Sequence, residues 1–278
     1  MPELPEVETI RRQLAPLVEG RVLEGVEILD PRWSRPLAPE ELELALRGRR
    51  VLRLGRRGKY LVWELSGDMY LAQHLRMTGT VLVEPDPEPP HTRVRMSLGR
   101  RRIVISDPRR FGTGELLAGE EELERFFSAR LGLEPFDPGF TAAHLRALTR
   151  RRQVPIKALL LDQTRVAGVG NIYADEALFR AGIHPLRAAG TLSTEQLERL
   201  REGVIGSLSA GIDARGASID DFRHVDGVRG SFQDRFLVHL RAGEPCSRCG
   251  TTIVKIVAAG RGTYVCESCQ RPPRRRRR

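Results

Sequence analysis

The chain has 278 residues, of which 40% are hydrophobic and 29% charged, enough to bury a substantial core and to form two domains or one domain with an appendage. No apolar run approaches the ~20 residues of a membrane span, and the acidic, proline-containing start is unlike a basic and apolar leader, so membrane and export classes are set aside and a soluble intracellular protein is expected. The formal net charge is +10, but six of the 46 Lys and Arg lie in the last eight residues, RPPRRRRR, leaving 46 minus 6, or 40, against 36 acids. A basic tail adds salt-sensitive affinity for phosphate, and a basic body points to nucleic acid.

The first residues, MPELPEVETI, predict a helix through PEVETIRRQLAPLV, because proline suits the first turn and carboxylates favour the positive end of the helix dipole. The same stretch has a second reading. Cleavage after Met1 leaves Pro2 with a free secondary amine, a nucleophile that needs no side chain. From there to about residue 116 the short apolar or alternating runs Val22–Ile28, Val51–Leu54, Tyr60–Leu65, Met69–His74, Thr80–Val83, Val94–Leu98 and Arg102–Ser106 read as strands. Many short strands close together predict an antiparallel β-sandwich or flattened barrel.

Two segments of this region concentrate positive charge. RGRRVLRLGRRGK (47–59) has seven cations and no acid, and RVRMSLGRRRIVISDPRRFG (93–112) has seven arginines against one aspartate. A charge run is by itself a solvated face; two of them interleaved with apolar strand residues make a basic sheet surface. HLRMTG places Met77, and DPRRFG places Arg109 and Phe111, on turns. An apolar side chain beside arginine on an exposed loop suits a wedge into a base stack, the competing reading being ordinary core. His74 and His91 read as structural when taken alone.

EEELERFFSARLG is then a helix leading into LEPFDPGF (133–140), which suits a linker, taken as 131–140. TAAHLRALTRR, PIKALLLDQ, NIYADEALFRAG and STEQLERLREGVIGSLSAGI have helical apolar spacing. Gly168 and Gly170 precede the helix that starts near Asn171, a turn that can present N–H groups to an anion or simply join two helices. RGASIDDFRHVDGVRGSF reads as a mobile loop. Cys246, Cys249, Cys266 and Cys269 follow as C-x2-C, sixteen residues, C-x2-C. Thiolates at that spacing complete a tetrahedron around one structural zinc; two disulfides are the alternative, disfavoured without an export signal. The intervening hairpin carries Arg261 between glycines near its tip.

Taken together, MPELPEVET, RRGKYL, HLRMTG, SDPRRFG, LGLEPF, GVGNIYADEALFRAGIHP, GEPC and GRGTYVCESCQ resemble, along the whole chain, the formamidopyrimidine-DNA glycosylase and endonuclease VIII family of base-repair enzymes. The opening PELPEVET is similar to the formamidopyrimidine branch. The resemblance implies an α+β multi-domain protein: an N-terminal catalytic β-sandwich flanked by helices (1–130), the linker, a helix-two-turns-helix domain (141–240) with a lesion-capping loop (216–232), a zinc finger (241–271) and the basic tail (272–278).

It also implies roles. Pro2 is the nucleophile at C1′ and Glu3 the general acid and base, with Glu6 holding the amine and helix in place. An α-amino group of pKa ~8 is partly neutral at pH 7 and yields a cationic iminium, an electron sink that permits strand cleavage after base removal. Lys59 binds phosphate at the lesion and assists β-elimination; Arg261 assists δ-elimination. His91, Arg109, Arg152 and Asn171 contact DNA, and Met77, Arg109 and Phe111 fill the space left by a flipped base. Arg76 departs from the family, standing where glycine is expected before Met77.

The expected activity is removal of oxidised purines, 8-oxoguanine and formamidopyrimidines, from double-stranded DNA, with cleavage at abasic sites, by a cytoplasmic, nucleoid-associated monomer carrying one zinc. Oxidised-pyrimidine specificity and a non-catalytic damaged-DNA binder are the alternatives. The expected site is an exposed imino terminus against a carboxylate, at the floor of a positively charged cleft. Met1 must be removed for activity.

Overall fold

The computed structural model describes residues 2–219 and 224–273, which fold as two compact units: 1–129 with 212–233, and 130–211 with the residues from 234 on. In the first unit, α1 (Leu4–Val18) buries Leu4, Val7, Ile10, Leu14 and Val18, a three- and four-residue spacing that puts one apolar stripe on the sheet beneath it. Eight antiparallel strands follow in two four-stranded sheets. One has the order β1 (Gly25–Ile28), β6 (Thr92–Leu98), β7 (Arg101–Ser106), β5 (Thr80–Val83). The other has the order β2 (Val51–Arg57), β3 (Tyr60–Leu65), β4 (Met69–His74), β8 (Thr113–Ala118). Their inner faces share one core that includes Trp33, Trp63, Leu71, Val94 and Ile105, the expected sandwich.

Two elements differ from the sequence expectation. Pro39–Leu46 is a helix, α2, inside the stretch read as β. Its signals are Pro39 in the first turn, Leu42 and Leu46 buried four apart, and Glu41 reaching back to accept the Ala38 N–H at 3.0 Å. Strand β8 does not stand out in the sequence, because it follows directly on the DPRRFG turn and carries a glycine, Gly114. Gly114 is required there: a Cβ would collide with the Trp33 ring.

α1 is fixed to β2 by charge as well as by apolar contact. Glu8 pairs with Arg11 at 2.8 Å, Arg12 at 2.8 Å and Arg56 at 3.1 Å. Burial alone would raise its pKa, but the hydrogen bonds from Arg11 and Arg12 and the nearby guanidinium charges win and hold it at about 2. The helix α3 (Gly119–Ser128) closes the run; its Phe126 and Phe127 meet Tyr60 edge-on.

The sequence groups 216–232 with the helical domain, but its described residues fold with the first unit. Val225 enters the sandwich core, its carbonyl accepts the Val83 N–H at 2.8 Å, and its own N–H reaches Gln13. On the other side of residues 220–223 the Ser218 N–H donates to Gln233 at 2.9 Å, so the loop expected to be mobile is held on both flanks; 220–223 lie outside the described residues, as do Met1 and 274–278 of the tail.

The second unit holds α4 (Ala142–Thr149), α5 (Ile156–Leu161), α6 (Asn171–Ala181) and most of α7 (Thr194–Asp213), then the hairpin β9 (Val254–Ala258) and β10 (Arg261–Val265). Thr141 caps α4 by accepting the His144 N–H at 3.1 Å. No helix among the described residues is long and apolar enough to cross a membrane.

Candidate active site

In the first unit the N-terminal segment runs straight into α1. The Glu3 carbonyl accepts the Val7 N–H at 3.1 Å, and Glu6 Oε2 accepts the Glu3 N–H at 2.9 Å, so a carboxylate three residues on satisfies a donor the helix leaves open. With Met1 still in place ahead of them, Pro2 and Glu3 are both buried. With Met1 attached, the Pro2 nitrogen is an amide without a hydrogen and needs no partner in the interior; excision of Met1 converts it to a secondary amine. The other Glu6 oxygen, Oε1, accepts the Ala217 N–H at 2.7 Å, so one side chain joins the start of α1 to the base of the 216–232 loop. The approach depends on Gly216 at φ +78°, where a Cβ would stand 3.0 Å from Glu6 Cγ and Oε1.

Lys59, also buried, occupies the tight turn between β2 and β3, one residue before Tyr60, which pairs across the sheet with His74. The two rings meet edge-on at 4.5 Å. His74 Nδ1 accepts the Arg76 N–H at 2.9 Å and so carries no hydrogen. Burial, with the charges of Arg76 and Lys59 nearby, pushes its pKa down to about 3, and the ring is neutral at pH 7. In the unfolded chain this histidine protonates below about 6.5. Stability should therefore be complete above that pH and fall as pH drops toward 3, by about 2 kcal/mol at pH 5. Urea unfolding of the parent and of His74→Gln at pH 7 and pH 5 checks this: the variant should lose that part of the pH dependence.

Arg76 has φ +56°, the left-handed region that favours glycine, the residue the family resemblance implies here. Relief of strain outweighs the added freedom of the unfolded chain, so Arg76→Gly should raise stability by about 0.5 kcal/mol, read by urea denaturation at pH 7.

Met77 and Phe111 are 37% and 51% exposed, and the Arg109 guanidinium lies 4.9 Å over the Phe111 ring, a cation–π contact. The two arginines of DPRRFG part company: Arg110, at φ +60°, turns back to Asp30 at 2.7 Å, while Arg109 stays exposed. His91, exposed at φ +65°, offers its carbonyl to the Asp107 N–H at 3.1 Å. Sequence reading quoted Asp107 without a role, yet it joins the loops of Met77, His91 and Arg109. Its signal was a carboxylate at a strand end directly before proline.

In the second unit the structure brings Asn171 and Arg261 together. Asn171 opens α6 and its Nδ2 donates to the Gly262 carbonyl at 3.1 Å; its buried Oδ1 has no partner among the described residues. Arg261 is the exposed first residue of β10, after the turn Ala259–Gly260, where both φ angles are positive, as a two-residue hairpin turn requires. The hairpin is tied to α6 by a buried network that sequence reading missed. Lys157 Nζ lies 2.6 Å from Asp175 Oδ1 and 2.7 Å from Thr263 Oγ1, and His239 Nδ1 lies 2.8 Å from Asp175 Oδ2. Arg152 is held separately after α4, its Nε donating to the Leu148 carbonyl at 2.8 Å.

The four cysteines converge, with all Sγ atoms within 4.8 Å of one another. The separations of 3.5 Å (Cys249 to Cys266 and to Cys269) and 3.9 Å (Cys246 to Cys269) are far longer than the ~2.05 Å of a disulfide. They match the edges of a tetrahedron with zinc–sulfur bonds of ~2.3 Å. The donor set fits one structural zinc. Behind it Cys246 and Cys266 share a small core with Phe179, Val238, Ile253 and Tyr264.

A β-sandwich led by a buried Pro–Glu helix start, and a helical unit bearing a four-cysteine hairpin fit for zinc, are the elements expected of a zinc-containing protein that processes DNA. Residues 1–114 match the formamidopyrimidine-DNA glycosylase N-terminal domain, 131–223 its helix-two-turns-helix domain, and 243–272 the zinc finger found in these glycosylases and in isoleucyl-tRNA synthetase. The formamidopyrimidine-DNA glycosylase of Desulfitobacterium hafniense is 44% identical over 272 residues, 97% of this chain and 100% of that protein. Two Lactococcus lactis structures, each 37% identical and spanning 98% of this chain and 100% of theirs, superpose closely. One is a proline variant bound to DNA containing Fapy-dG (TM-score 0.92), the other the wild type bound to DNA containing an oxidised pyrimidine (TM-score 0.90). The chain belongs to the formamidopyrimidine-DNA glycosylase family.

Proposed function

We propose that this protein is a bifunctional base-excision glycosylase and abasic-site lyase, acting on oxidised purines in duplex DNA. The observation that carries the reading is the Pro2–Glu3 start of α1, fixed by Glu6 in a chain that belongs to this family over its whole length. After loss of Met1, the Pro2 nitrogen attacks C1′ and sheds its proton; the bond from C1′ to the base breaks, its electron pair leaves with the base, and the base takes up a proton as it departs. Glu3 protonates the ring oxygen as the sugar opens, giving an iminium between Pro2 and C1′. That cation draws electrons from C2′, a proton is lost there, and the 3′ phosphate departs; a second elimination releases the 5′ phosphate.

Lys59 supplies positive charge at the lesion phosphate during the first elimination, and Arg261 at flanking phosphates during the second. His91, Arg152 and Asn171 hold the backbone, while Met77, Arg109 and Phe111 enter the stack, Arg109 reading the opposite cytosine. The described flanks of the 216–232 loop cover the extruded base. Zinc, bound by the four cysteines, keeps the hairpin folded and has no part in the chemistry. The protein acts as a monomer in the bacterial cytoplasm, on nucleoid DNA.

Cleavage of 8-oxoguanine·cytosine and thymine-glycol duplexes tests the substrate class. Faster excision of 8-oxoguanine, with phosphate at both ends of the gap, is the expected result; preference for thymine glycol would move the protein to the pyrimidine-repair branch.

A further inference from the structure

The side chains assigned to the base stack stand on separate loops, and a wedge works only if those loops hold their mutual geometry while DNA is bent against them. Asp107, 2% exposed at the end of β7, lies where the loops meet. Its Oδ2 accepts the N–H groups of Phe111 at 2.8 Å and Gly112 at 2.7 Å. Its Oδ1 accepts the Arg109 N–H at 3.2 Å and the hydroxyl of Thr78, the residue after Met77. The main chain of the same residue is engaged as well: the Asp107 N–H donates to the His91 carbonyl at 3.1 Å, and its carbonyl accepts from Arg93 Nε at 2.9 Å. A carboxylate has about four acceptor sites, and all four are taken by donors from the two loops that carry Met77, Arg109 and Phe111.

We infer that Asp107 is a positioning residue for lesion extrusion: it locks the Met77 loop to the Arg109–Phe111 loop so that the three side chains enter the duplex as one rigid body. The inference rests on the stack-filling role given above to Met77, Arg109 and Phe111. Asp107 touches neither the reacting atoms nor, by this reading, the DNA. The isosteric amide cannot do the same work. An acceptor-only group can serve four converging donors, whereas an asparagine amide turns its NH2 toward two of them. Thr78 gives the narrower probe, since its hydroxyl is the only side-chain link the carboxylate makes to the Met77 loop among the described residues.

The test uses the full chain, zinc-bound and freed of Met1, in single turnover. One reaction is excision of 8-oxoguanine opposite cytosine, with 2-aminopurine beside the lesion to report unstacking. The other is cleavage of a preformed abasic site in single-stranded DNA, where no stack has to be opened. Asp107→Asn should slow excision about 10- to 100-fold and suppress the fluorescence rise, since displacement of a positioned group by about 1 Å has effects of that size. Thr78→Val should show the same pattern more weakly, and both should cleave the single-stranded site within about 2-fold of the parent. Added to Met77→Ala with Phe111→Ala, Asp107→Asn should cost little more.

Excision by Asp107→Asn within about 2-fold of the parent, or an equal loss in both reactions for Asp107→Asn and Thr78→Val alike, would overturn the inference. Failure of the underlying reading looks different. In that case Met77→Ala and Phe111→Ala themselves leave excision and fluorescence unchanged.

Discussion

Pro2→Gly, in protein from which Met1 has been removed, is expected to lose at least about 100-fold in borohydride trapping on lesion DNA while duplex binding changes little. The reason is chemical and geometric. Proline presents a secondary amine, so its adduct with C1′ is a permanent cation; glycine presents a primary amine, whose imine is an electron sink only when protonated. The pyrrolidine ring also fixes rotation about the N–Cα bond, and with it the direction of the nitrogen lone pair, beside the backbone of Glu3, itself held by Glu6 at 2.9 Å; glycine frees that rotation. Binding is spared because the phosphate contacts are assigned to Lys59, Arg152, Asn171 and Arg261. Rapid trapping kinetics with fluorescence anisotropy on the same duplex checks both halves; equal trapping by the two proteins would reject Pro2 as nucleophile.

The second large effect concerns zinc. Cys266→Ser is expected to release the metal, destabilise the second unit by about 4 kcal/mol or more, and weaken DNA binding through loss of a fixed Arg261. The hairpin has two short strands, and its apolar support is one small cluster around Phe179, Ile253 and Tyr264. Such a module cannot stay folded on so little buried surface without a crosslink. When the strands separate, the Asn171 bond to the Gly262 carbonyl and the Thr263 bond to Lys157 are lost, and Lys157 and Asp175 are left buried with fewer partners. Metal analysis and thermal unfolding measure it. One zinc per parent chain and none in a destabilised variant is the predicted outcome; paired cysteines without zinc in the parent would contradict the site.

Much of this architecture was legible in residue order, for identifiable reasons. Strands such as Tyr60–Leu65 and Met69–His74 are short, largely apolar runs bounded by glycine or charge, and the cysteine spacing leaves few coordination chemistries open. What escaped were features made by distant residues. The helix Pro39–Leu46 hid among strands because only eight residues separate its caps. Strand β8 is glycine-bearing because Trp33, eighty residues earlier in the chain, covers Gly114. The buried Lys157–Asp175–His239 network and the bond from Glu6 to Ala217 span long intervals with no local periodicity to betray them. The burial of Pro2 was likewise invisible, because a residue at a chain terminus ordinarily reads as exposed.

The most direct test of the central claim is to reduce the covalent complex with borohydride on an 8-oxoguanine·cytosine duplex, digest it, and locate the modified peptide by mass spectrometry. The adduct should lie on the nitrogen of a peptide beginning at Pro2. An adduct on Lys59 or another lysine side chain, with the Pro2 nitrogen unmodified, would contradict the account.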